Sequence, residues 1–138
     1  MTVKLFKIFQ IKKIKNVRGD IVKIVDKKKK YFKGFGELYL TEIKKREIKG
    51  WNYHKRNICL LFVASGKVKF YFKEKIKNTF TKSITINYKM NKILQINNNT
   101  WFAFTSYTKK SLVFNFMNKV HNPKETLKDQ ITSFKKLK

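Results

Sequence analysis

The chain has 138 residues, a length that suits one domain with a buried core, and a formal net charge of +26 from 34 Lys and Arg against 8 Asp and Glu. Its longest apolar run, Ile58 to Ser65, falls far short of the ~20 residues a membrane-spanning helix needs, and Met1 to Ile14 alternates lysine with apolar side chains instead of forming a signal-peptide core. A soluble, cytoplasmic protein is expected, and the lone Cys59 excludes an internal disulfide.

Lysine supplies nearly all the charge. Arg18, Arg46 and Arg56 are the only arginines, so the bidentate fork that reads guanine is scarce. Richness in Lys, Asn, Ile, Phe and Tyr follows AT-rich codons, which makes solvated lysine faces the ordinary reading and a basic nucleic-acid-binding barrel the minor one.

In chain order, apolar positions alternate and are β-branched or aromatic, which predicts strands at Ile21 to Val25, Glu37 to Glu42, Glu47 to Trp51, Ile58 to Val63, Lys67 to Tyr71, Ser83 to Tyr88, Lys92 to Ile96, Trp101 to Thr105 and Ser111 to Met117. Between them, Arg18-Gly19-Asp20, Gly34 to Gly36, Ser65-Gly66 and Asn97 to Asn99 suit turns, because Gly, Asn and Asp accept positive φ or bond to the local backbone. Many short, evenly spaced strands predict an all-β antiparallel sandwich or barrel of the jelly-roll type over residues 1–138. The period changes only at the end. Asn122 as cap, Pro123 at the first helical position, Glu125 in a capping box and Leu127, Ile131 and Phe134 at helical spacing predict a short closing helix.

Chemistry-bearing residues are few. His54 and His121 are the only imidazoles, no glycine-rich phosphate loop is present, and Trp51, Asn52, Tyr53, Lys55, Arg56 and Asn57 around His54 offer no metal-ligand set. A strand running on to His54 puts Asn52 and His54 on one face, with Lys49, Trp51 and Tyr53 on the other. Cys59, inside an apolar strand, is read as a buried small hydrophobe. Trp101 and Phe102 follow the Asn97 to Asn99 turn and are candidates for an aromatic wall against a base or sugar ring.

N-V-R-G-D at Asn16 to Asp20 is similar to the D-x-R-G turn of the nucleotide-sugar-processing cupins, the RmlC-like dTDP-4-dehydrorhamnose 3,5-epimerases and dTDP-4-keto-6-deoxyglucose 3,4-ketoisomerases. K-G-W-N-Y-H-K at Lys49 to Lys55 resembles the ketoisomerases' R-G-F-H-A-H-K, and N-N-N-T-W-F-A-F resembles the epimerases' P-x-G-F-A-H-G-F. S-L-V-F-N-F-M-N followed by Pro123-Lys124-Glu125 resembles the next strand and its exit.

The resemblance implies an RmlC-like cupin, a homodimer, a dTDP-linked sugar as ligand, and cofactor-free proton transfer beside a ketone. It makes His54 the base, Tyr39 or Tyr53 the carrier of the returning proton, and Arg18, Lys49, Asn52, Trp101 and Phe102 contacts to substrate. Asp20, Glu37, Glu42 and Glu47 are the carboxylates considered as partners of His54. In the epimerase pattern the catalytic histidine falls at Asn52, the later-strand histidine at Phe102, and the donor tyrosine at or near Phe114; in the ketoisomerase pattern Lys49 falls at the arginine, Asn52 at the first histidine and His54 at the second, so one of its two histidines is kept. The alternative is a silent cupin that binds a nucleotide sugar or partner enzymes.

Overall fold

A computed structural model describes residues 5–76 and 81–129. Twelve strands are seen among them: β1 (Phe6–Gln10), β2 (Lys13–Ile14), β3 (Ile21–Val22), β4 (Glu37–Lys44), β5 (Ile48–His54), β6 (Cys59–Ser65), β7 (Lys67–Lys73), β8 (Lys82–Asn87), β9 (Lys92–Ile96), β10 (Trp101–Ser106), β11 (Lys110–Met117) and β12 (Thr126–Lys128). Two antiparallel five-stranded sheets, ordered β1-β9-β6-β11-β4 and β12-β5-β10-β7-β8, face each other, and β2 and β3 form a separate ribbon. The all-β jelly-roll expected from period-2 patterning is the fold observed.

The core lies between the sheets. From β7, Val68, Phe70 and Phe72 are fully buried against Phe102 and Phe104 of β10, and across the gap they meet Leu61 and Val63 of β6, Leu94 and Ile96 of β9, and Val113 and Met117 of β11. Each such phenylalanine or leucine contributes about 1.5–3 kcal/mol by leaving water. Phe6 stacks on Phe72 with ring centroids 4.1 Å apart, tying β1 to the opposite sheet. Cys59 belongs to this core, and burial pushes its thiol up to about 12, so it behaves as a small hydrophobe.

The closing helix is corrected at its start. Asn122 does cap locally, its Oδ1 accepting from Lys124 N at 3.0 Å and its carbonyl from Glu125 N at 3.0 Å, but one turn later the chain pairs as β12 with β5, Thr126 opposite His54 and Lys128 opposite Asn52. The open edge of β5 satisfies backbone groups that a solitary helical turn would leave to water. Ile131 and Phe134 lie outside the described residues. Among the described residues no helix is long and apolar enough to cross a membrane.

Candidate active site

Between the sheets, on the side where β4 and β12 form unpaired edges, opens a cavity of about 170 Å³. His54 stands in its wall at the end of β5, only 7% exposed, with its ring 6.1 Å from Phe102 and nearly parallel to it. Its Nδ1 lies 2.5 Å from Glu125 Oε1. Glu125, 6% exposed, also accepts from Thr126 Oγ1 at 2.7 Å and from the backbone N–H groups of Arg56 and Asn57 at 3.1 and 3.3 Å. Burial alone would raise this carboxyl, but hydrogen bonds from His54, Thr126 and the Arg56 backbone outweigh it and hold Glu125 at about 2. The carboxylate therefore stays charged and accepts a hydrogen bond from Nδ1–H, which leaves Nε2 as the ring nitrogen without a proton.

None of the four carboxylates considered from sequence is this partner. Asp20 pairs with Lys13 at 3.5 Å, Glu42 with Lys110 at 3.7 Å, Glu37 accepts from His121 N at 3.0 Å, and Glu47 sits in the exposed turn before β5. The local sequence of Glu125 reads as a helix cap. No local signal marks a residue 71 positions away as the mate of His54.

Lys49 also reaches the cavity, contrary to simple alternation. Phe102 pairs with Asn52 but Phe104 pairs with Lys49, so β5 carries one extra residue there, and this bulge turns Lys49 onto the face of Asn52 and His54. Gly50 makes it possible: its φ is +128°, and a Cβ would stand 2.7 Å from Ala103 Cα. A lone glycine within a strand pattern was the available sequence signal.

Of the other predicted site residues, Tyr39, Asn52 and Phe102 line the cavity. Asn115 Nδ2 donates to Tyr39 Oη at 2.8 Å, which leaves the tyrosine's own proton free to point elsewhere. Tyr53 and Trp101 do not join them. They pack together on the outer face with centroids 5.0 Å apart, the Tyr53 hydroxyl donating to Asn99 Oδ1 at 2.8 Å. Arg18 is exposed at the tip of the β2–β3 ribbon and does not line this cavity. Phe114 faces the outer apolar groove, and the inward neighbour on β11 is Asn115. Residues missed from sequence are Asn115, His121, Thr126 and Lys128, all in the cavity wall. Among the described residues no cluster of His, Cys, Asp and Glu suits a metal ion.

Solved structures share this architecture. A dTDP sugar isomerase from Desulfovibrio desulfuricans superposes with a TM-score of 0.84 at 19% identity, covering 96% of this chain and 87% of its own. A histidine-to-asparagine mutant of the 3,4-ketoisomerase QdtA from Thermoanaerobacterium thermosaccharolyticum, in complex with TDP-4-keto-6-deoxyglucose, gives 0.79 at 19% over 93% and 90%. The dTDP-4-dehydrorhamnose 3,5-epimerase of Bacillus anthracis, with TDP and PPi bound, gives 0.80 at 13% over 94% and 81%. No protein of curated function matches the sequence significantly. The fold is thus an RmlC-like cupin. The profile of the family FdtA: WxcM-like, C-terminal matches residues 4–138, and the chain belongs to that family.

Proposed function

We propose that the protein is a sugar isomerase or epimerase that moves protons beside the ketone of a dTDP-linked 4-keto-6-deoxyhexose, with 3,4-ketoisomerisation as the reaction its residues fit best. The observation that carries this is the buried His54–Glu125 pair on a cavity with room for one sugar ring. Carbon acids next to ketones need a base within hydrogen-bond reach and a donor for the enolate oxygen. His54 Nε2 is that base, and Glu125 stabilises the imidazolium formed. Tyr39 supplies the donor. Lys49 and Lys128, where the cavity meets an open groove lined by Lys49, Trp51, Asn52 and Lys128, offset the charge of enolate and diphosphate. The chemistry calls for no cofactor, and the similar structures in complex with TDP or a TDP-sugar support the choice of ligand.

The expected homodimer has a face to use. An apolar groove of about 300 Å³ on the outside of the first sheet is bordered by Leu38, Phe114 and Phe116, with Leu38 52% exposed. Sedimentation at micromolar concentration tests that pairing.

The function is tested by incubating the protein with the 4-keto sugar nucleotide in deuterated water and following it by NMR. Deuterium entering beside the ketone, lost in His54→Ala, is the expected result; absence of both deuterium and keto migration refutes the reading. Asn52 and Phe102, which exchange no protons, favour the silent binder as second reading. Its signature in the same tube is saturable dTDP binding without exchange.

A further inference from the structure

We propose that His121 is a second catalytic residue, carrying the proton that moves between the substrate's oxygens while His54 carries the one that moves between its carbons; this rests on the ketoisomerase reading above. The chain has two histidines, and both line the same cavity. His121 comes from the β11–β12 connection, the segment that also delivers Glu125. Its backbone is fixed on both sides. His121 N donates to Glu37 Oε1 at 3.0 Å, Asn57 Nδ2 donates to Lys119 O at 3.1 Å, and Asn122 O accepts from Glu125 N at 3.0 Å. The ring itself is exposed at the cavity rim, where solvent can exchange its proton.

The proton balance needs such a group. In converting a ketone with a neighbouring hydroxyl into the swapped pair, one proton leaves the hydroxyl-bearing carbon and its electrons form a carbon–carbon double bond while the ketone oxygen gains a proton. The hydroxyl oxygen then loses its proton, its carbon becomes the new ketone, and the former carbonyl carbon is protonated. His54 takes the first carbon-bound proton and returns it one carbon along. The oxygen proton needs a carrier that both gives and takes near neutrality, as an imidazole does. Asn52 and Phe102 cannot. Tyr39 is held in the donor role: burial pushes its phenol up, with Cys59 adding to this and Asn115 only partly opposing it, so it keeps its proton and hydrogen-bonds the enolate. His54, Tyr39 and His121 all line the one cavity of about 170 Å³.

His121→Ala separates the two steps. With the TDP-linked 4-keto-6-deoxyhexose in deuterated water, its rate of keto migration is expected to fall by about 10²-fold or more, with deuterium wash-in beside the ketone reduced only a few-fold. Added imidazole is expected to restore migration, and His121→Gln to match the alanine variant. Migration within threefold of wild type in either variant, or wash-in and migration falling together, overturns the proposal and leaves the isomerase reading standing. A wild-type protein that neither exchanges nor migrates overturns both.

Discussion

Replacing Glu125 by glutamine tests the site at its most exposed point of logic. Oε2 accepts from two backbone N–H groups, Arg56 and Asn57, which cannot change their donor character, so the glutamine carbonyl must turn toward them. The amide NH2 then faces His54 Nδ1, which must become an acceptor and send its proton to Nε2. The cavity nitrogen is no longer a base. In a serine protease the analogous Asp→Asn change lowers turnover about 10⁴-fold through the wrong tautomer, and a loss of about 10³–10⁴-fold is expected here. Stability falls as well: holding Glu125 at about 2 against an ordinary 4.5, at about 1.4 kcal/mol for each unit, corresponds to about 3 kcal/mol at neutral pH. Nitrogen-15 NMR of the His54 ring reads the tautomer without substrate, and deuterium wash-in reads the base. A variant whose Nε2 stays unprotonated, or whose exchange stays within tenfold of wild type, refutes this account of the dyad.

Two further outcomes follow from the same geometry. Gly50→Ala forces a Cβ into Ala103 at a φ of +128° and is expected to cost at least about 2 kcal/mol in urea unfolding and to weaken binding of dTDP-sugar by displacing Lys49; an unchanged midpoint contradicts the bulge. Because the folded-state value of Glu125 is depressed, its contribution is fully present above about pH 4.5 and is lost as pH falls toward about 2. Wild-type urea midpoints should drop across that window, and those of Glu125→Gln should drop less.

Period-2 alternation made nine strands legible, since a half-buried sheet writes its two faces directly into the sequence. It missed β1, β2 and β12. β2 and β12, with two and three residues and without a longer run of apolar alternation around them, carry too little pattern to register, and in β1 lysine and glutamine border a face buried only by partners far along the chain, Phe6 meeting Ile96 and Gln10 meeting Lys92. The C-terminal misreading is instructive because the capping signal at Asn122 was real and tertiary pairing overrode it after one turn. Within the site, resemblance and register point to His54, Asn52 and Tyr39; register also sets Tyr53 on the opposite face, as observed, and only the resemblance draws Tyr53 and Trp101 toward the site, because a motif gives neighbours in sequence without giving the face. Lys49 joined His54 only through an extra residue, which strict alternation cannot represent.

The three-residue strand β12 sets the point in synthesis at which the His54–Glu125 pair is completed. It pairs only at the outer edge of β5, and the eleven strands before it build both sheets and the packed core between them. A nascent chain could therefore fold its barrel while His54 still lacks a carboxylate. Only when the last segment docks do Glu125 and Thr126 arrive together at the imidazole. The pair is thus completed by the part of the chain that follows both sheets: a chain interrupted before Glu125 would present His54 without this carboxylate.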